Sequence, residues 1–169
     1  MNFVSRTSHL VLVAILLNSV AIAQEAKSGV LSADEVKKVA PKDYFFRGQS
    51  APVQIRNCAG IRAQGDKLVL VCLVDNSGYA ADVKAKYQGL FITEVKLDVE
   101  RSSVAPGEYG FGFSQDEKFI LMDVGANDLV SVGAKTDENL HRPVPLKITE
   151  DGSAYRLYAG KKYITVKLQ

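Results

Sequence analysis

The chain has no tryptophan, and only two histidines, two cysteines and two methionines among its 169 residues. His9 lies in an N-terminal leader, so His141 is the one imidazole left once that leader is removed. A single histidine excludes multi-histidine metal sites and leaves one candidate base for a Ser-His-Asp arrangement. His141 sits in a polar stretch beside Arg142 and Pro143, and no G-x-S-x-G elbow exists to present a serine to it. It reads as a solvated loop residue. P-loop, dinucleotide and H-E-x-x-H signatures are missing as well, so no cofactor and no metal is expected. An excess of either charge is also lacking: 21 basic residues face 19 acidic ones, for a formal net charge of +2. Such balance leaves no electrostatic footprint for nucleic acid or for an anionic membrane. After the leader no apolar run is long enough to span a bilayer, and there are no heptads, repeats or low-complexity tracts.

What is present begins with export. Arg6 precedes an unbroken apolar run from Leu10 to Leu17, and Ala21-Ile22-Ala23 follows as a small-x-small cleavage site. This is the pattern of a secretory signal peptide over residues 1–23, with no cysteine after the site to take a lipid. Residues 24–169 then form one β-rich domain of ordinary size, expected in the periplasm or outside the cell.

The rest of the sequence organises around residues 89–124. From Phe91 to Val99 the odd positions Phe91, Thr93, Val95, Leu97 and Val99 alternate with Glu94, Lys96 and Asp98. This period of two predicts one long half-buried strand running to Glu100. Its start, Leu90-Phe91-Ile92, is apolar on both faces and calls for cover on both sides. A turn at Pro106-Gly107 leads to a strand with Tyr109, Phe111 and Phe113 on one face and Gly110 and Gly112 on the other. The glycine face leaves room for a neighbouring side chain, a bulge or the close approach of a ligand. Lys118 to Met122 follows as another strand.

Two short helices are expected. Ser32-Ala33-Asp34-Glu35 has the form of a capping box, opening a helix over 32–40 that stops before Pro41. The alanines and lysines of 78–87 suggest a second, with Ser77 as its cap. Val53 to Asn57 and Lys67 to Val74 read as strands, the latter apolar at nearly every position and therefore central. Near the C-terminus, Asp151-Gly152 and Ala159-Gly160 serve as two-residue hairpin turns, setting Ile148 opposite Tyr155, Leu146 opposite Leu157 and Tyr155 opposite Ile164. About eight antiparallel strands result, mostly paired with their sequence neighbours: a mainly β meander, closed as a small barrel or folded as a sandwich.

Cys58 and Cys72 are the only cysteines and do not form a Cys-x-x-Cys motif. A three-residue loop at Gln64-Gly65-Asp66 places them directly opposite each other, along with Ala59 and Val71, and Ile61 and Val69. In an oxidising compartment a cross-strand disulfide follows, two separate buried thiols being the alternative. Asp123, Asn127 and Asp128 form an oxygen-rich turn that lacks calcium-loop spacing and reads as an Asx-turn.

Tyr44-Phe45-Phe46 with Gly48-Gln49-Ser50-Ala51-Pro52-Val53-Gln54, Leu73-Val74-Asp75 with Ser77-Gly78-Tyr79, Lys86-Tyr87-Gln88-Gly89, Pro106 to Phe113 and Gly125-Ala126-Asn127-Asp128 together resemble blocks of a family of small, exported bacterial β-rich proteins. The resemblance implies export and a shared fold, and no activity.

Tyr44, Phe45, Phe46 and Arg47 are the densest aromatic cluster. With Tyr109 and Phe111 they are the candidate ligand-binding wall, Arg47 facing an anion. The function expected is an exported, non-enzymatic domain binding a small ligand or an envelope protein. One alternative is a carboxylate-based hydrolase or isomerase with Arg47, Arg56 or Arg62 in its pocket. The other is a structural protein that pairs through an edge strand.

Overall fold

The computed structural model describes residues 28–169; the signal-peptide pattern lies outside the described residues. A two-residue strand β1 (Gly29–Val30) leads to helix α1 (Ala33–Val39). Ser32 caps it as the pattern predicts, its Oγ accepting from the Glu35 N–H while the Glu35 carboxylate accepts from the Ser32 N–H. Strands β2 (Asp43–Phe46), β3 (Gln49–Arg62) and β4 (Leu68–Val74) follow, then a single helical turn α2 (Ala81–Lys84). Next come β5 (Gly89–Thr93), β6 (Leu97–Val99), β7 (Ser102–Val104), β8 (Gly107–Phe113), β9 (Lys118–Met122), β10 (Asp128–Gly133) and β11 (Lys135–Thr136). Finally β12 (Val144–Asp151), β13 (Ala154–Gly160) and β14 (Lys162–Leu168) close the chain.

The fold is mainly β and antiparallel, as expected, and the sandwich is the alternative realised. An eight-stranded sheet runs β1-β3-β4-β5-β8-β9-β10 with β2 beside β3, and a six-stranded sheet runs β12-β13-β14-β6-β7 with β11 beside β14. The strands outnumber the eight anticipated because several ribbons break. The long strand expected over residues 91–100 is two strands, β5 in the first sheet and β6 in the second. Thr93 Oγ1 donates to the Val95 carbonyl and accepts from its N–H, and this tight local bonding turns the chain between layers. The inward-facing alternation survives the break: Phe91, Thr93, Leu97 and Val99 are all buried. Glu100 and Arg101, both at positive φ, then form the turn into β7, an additional strand before Pro106.

Cys58 pairs with Cys72, Ala59 with Val71 and Ile61 with Val69, the register expected from the three-residue loop, and Cys58 and Cys72 form a disulfide. Ala63 N–H donates to the Lys67 carbonyl across that loop, which turns at Gly65 and Asp66, both with positive φ.

Both C-terminal hairpins are shifted by two residues from expectation. Ile148 faces Leu157 and Tyr155 faces Val166, because the turns are Gly152-Ser153 and Gly160-Lys161. Each glycine has positive φ at the first central position, where a type II′ turn needs it. A slip of two residues preserves which face is buried, so hydrophobic pattern does not discriminate between these registers.

Two apolar layers result. Between the sheets lie Val69, Val71, Phe91, Phe111, Phe119, Leu121, Leu157, Ile164 and their neighbours. On the other face of the large sheet, Leu70, Cys72, Leu90 and Met122 pack against α1, β2 and the segment containing Tyr79 and Tyr87. Strands β4 and the start of β5 are thus covered on both faces, as their continuous apolar runs require. β3 bends where its register shifts between Val53 and Cys58, and its first half carries β2 across the outer face. The Asp75 N–H donates to the Pro52 carbonyl at one side and the Arg47 N–H to the Val124 carbonyl at the other.

Candidate functional site

The six residues expected to share a ligand wall lie on different surfaces. Tyr44 and Phe46 point inward from β2 and are buried on the outer face of the large sheet. Phe111 is buried on the opposite face, between the sheets, with half-buried Tyr109 packed against the same layer and its hydroxyl donating to the Ala105 carbonyl. Phe45 points away from both layers and is 59% exposed. Arg47 occupies the two-residue turn Arg47-Gly48, both at positive φ, and lies 3.9 Å from the exposed carboxylate of Asp82. A backbone sheet therefore separates the two halves of the expected wall.

The space beside Gly110 and Gly112 is filled. A Cβ on Gly110 would lie 2.3 Å from the Phe46 ring, and one on Gly112 would lie 2.1 Å from the Lys86 carbonyl. Phe46 stacks on Tyr87 at 3.9 Å between centroids, and Tyr79 meets Tyr87 edge-on at 5.1 Å. The Tyr79 hydroxyl donates to the Phe46 carbonyl at 3.0 Å, locking β2 to the segment just before α2. Burial of these rings also explains why the helix expected over 78–87 shrinks to Ala81–Lys84. Tyr79 and Tyr87 must both reach the core, and Ser77, instead of capping, has its N–H held by Asp75 Oδ1. Gly110 accommodates a side chain of the protein itself, one of the roles foreseen for the glycine face, and Gly112 accommodates the backbone at Lys86.

The oxygen-rich turn closes on itself. Asp123 accepts from the N–H groups of Gly125 and Asn127 and from the Asn127 side-chain amide, while Asp128 pairs with Lys86. These hydrogen bonds hold the Asp123 carboxyl below its usual range, the Asn127 side chain contributing most. His141 is exposed in its loop.

A cleft of about 620 Å³ opens elsewhere, at one end of the sandwich where the two sheets part. One wall comes from the large sheet: Leu73 and Val74 at the end of β4, Asn76 beyond it, Gln54 of β3, Gln88 before β5 and Phe113 at the end of β8. The other comes from the small sheet: Thr136 of β11, Pro145 of β12, and Ala159 to Lys162 around the β13–β14 turn. No carboxylate lines it, and neither Lys161 nor Lys162 is in an ion pair among the described residues.

The amides of this cleft are held by backbone. Gln88 Nε2 donates to the Phe113 carbonyl at 3.2 Å and its Oε1 accepts from the Phe113 N–H at 3.0 Å, so the side chain continues the ladder that ends there. Gln54 Nε2 donates to the Val74 carbonyl and Asn76 Nδ2 to the Tyr87 carbonyl. Lys162 Nζ donates to the Ser114 carbonyl at 2.8 Å, bridging the two sheets. The walls are thus set in advance of any occupant, with an apolar floor and a basic rim. Composition gave no hint of this site, because its residues come from separate stretches. The one legible signal was Lys161-Lys162 beside a hairpin glycine, which places two cations at a sheet end.

No family model, curated protein or solved structure matches the chain. Among the described residues, no helix is long and apolar enough to cross a membrane.

Proposed function

We propose that this protein is an exported, non-enzymatic binding domain and that its end cleft takes a small ligand bearing an anionic group. One observation carries the reading: a 620 Å³ opening between the sheets, with Lys161 and Lys162 on its lining and no acidic side chain among its lining residues. That volume falls within the ordinary range for small-molecule sites, and two lysines without a carboxylate partner among the described residues, Lys162 bonded to the Ser114 carbonyl alone, favour a carboxylate or phosphate. Export is supported by the leader pattern and by the disulfide, which persists in oxidising compartments. The resemblance of its sequence blocks to small exported bacterial proteins points the same way.

The hydrolase alternative requires a carboxylate buried beside an arginine. Arg62 instead pairs with Glu35 and Asp66 at the surface, and Thr93 and Ser114 are the buried polar side chains among the described residues. No specific observation favours that reading.

The test is a thermal-shift screen of mono- and dicarboxylates and sugar phosphates against neutral analogues of equal size. An anionic compound is expected to raise the melting temperature, and Lys161→Ala with Lys162→Ala to weaken its binding about tenfold or more. Neutral compounds binding equally well, or affinity indifferent to both lysines, would remove the proposal.

A further inference from the structure

Strand β10 ends the large sheet; its register shifts between Asp128 and Val130, and past that irregularity its outer border carries none of the devices that usually protect an edge. Leu129-Val130-Ser131-Val132-Gly133 contains no proline, no lysine and no other charge. The other borders are managed. β1 has two residues and β7 three, while β12 carries Pro145 and Lys147 and runs beside β3.

The phase of the open hydrogen-bonding groups follows from the neighbouring ladder. The Lys118 carbonyl accepts from the Ser114 N–H, so Lys118 addresses β8 and its partner across β10, Gly133, addresses the outside. The Ala134 N–H donates to the Glu117 carbonyl at 2.7 Å, fixing the same alternation from the other direction. Ser131 and Gly133 therefore present their N–H and C=O groups outward, while Val130 and Val132 bond to β9. The side chains of Val130, Val132 and Ala134 are half-buried and belong to the layer between the sheets.

We infer that β10 is a self-pairing surface, and that a second copy of this chain adds to it antiparallel about a two-fold axis through Val132. This register alone uses the open groups of Ser131 and Gly133 twice over: each N–H of Ser131 meets the C=O of Gly133 in the second copy, and the reverse, giving about four hydrogen bonds. Val132 faces Val132 in a close, non-hydrogen-bonded pair, and Val130 faces Ala134, so the apolar layer runs on from one copy into the next. The two Asp128 carboxylates end about 25 Å apart, and no like charges oppose each other at the centre. This inference is independent of the ligand cleft, which lies among other strands.

Cross-linking tests the register. Cys58 and Cys72 are already bonded, so one added cysteine reports alone. They also occupy a directly opposed pair with Cα atoms 4.0 Å apart, the relation that two copies of position 132 would have. Val132→Cys is expected to give a disulfide-linked dimer at least about tenfold faster than Ser131→Cys, whose sulfurs would be offset along the strand. The unaltered protein is expected to sediment at dimer mass near about 100 µM, and Val132→Lys at monomer mass. Equal cross-linking of the two cysteine variants would overturn the inference. So would an unaltered protein that stays monomeric at millimolar concentration, or one that remains a monomer while taking an extended peptide of another protein onto β10.

Discussion

Gly112 shows how closely single atoms are placed in this protein. Its absent side chain lets the Lys86 carbonyl approach to 2.1 Å of where a Cβ would sit, and backbone on both sides leaves little room to yield. Gly112→Ala is expected to lower stability by about 3 kcal/mol, read as a reduced urea midpoint at unchanged slope. A change within a few tenths of that midpoint's error would show that the segment 86–88 is not seated against β8. Phe46 over Gly110 is the same device with a side chain as the neighbour, and there the ring has some freedom to turn. From residue types alone Tyr44-Phe45-Phe46-Arg47 looked like one cluster. Strand alternation divides it, because Tyr44 and Phe46 point inward where Phe45 cannot.

At the level of elements, the β3–β4 hairpin is the most firmly specified unit. The apolar run of β4, the loop glycine and the two cysteines agree on one register, which places Cys58 opposite Cys72. The disulfide closes a loop with a sequence separation of 14, for which chain-entropy reasoning gives about 3 kcal/mol. Reduction, or the double change Cys58→Ala and Cys72→Ala, is expected to cost that amount in a denaturant titration. An unchanged midpoint would mean that the hairpin is restricted without its cross-link. The C-terminal hairpins were less legible. Their turn glycines were evident, but placing each glycine second instead of first in its turn moved both registers by two residues while leaving the buried face correct. Strand β6 was hidden for a related reason. A ribbon that changes sheets keeps its inward alternation, so periodicity registers one strand where there are two.

For the whole molecule, acidic and tyrosine groups bound the pH range of stability on opposite sides. Glu35 is brought down to about 2 by hydrogen bonds from Ser32 and by Arg62. Asp75, Asp116 and Asp123 lie below their usual values through hydrogen bonds led by Ser77, Ser114 and Asn127 respectively. For Glu100 burial acts the other way, but the Thr165 N–H and the Lys135 ammonium outweigh it. A carboxyl depressed in the fold contributes stability above its unfolded value, near pH 4, and that contribution is lost as pH falls toward the folded value. Burial raises Tyr44 and Tyr87, so their neutral forms favour the fold below about pH 10 and the contribution is lost above it. Melting temperature is therefore expected to be flat between about pH 5 and 9 and to fall on both sides. On the alkaline side Tyr87→Phe should make that fall shallower. A melting temperature still rising at pH 11 would contradict the burial of these phenols.

What could be read from the amino acids was local and periodic: strand faces, the α1 capping box, turn glycines, the cross-strand cysteine pair and a mainly antiparallel β character. Each depends on residues that are neighbours in sequence or are tied by one short loop, where sterics and alternation leave few choices. The division into two sheets, the third layer made by α1, β2 and the tyrosine segment, and the lysine-rimmed cleft depend on which distant surfaces meet. That choice is settled by packing: Phe46 finds Gly110, and Lys162 finds the Ser114 carbonyl. Composition and spacing carry no trace of such encounters, because many pairings of oily faces bury similar area and only close fit distinguishes them.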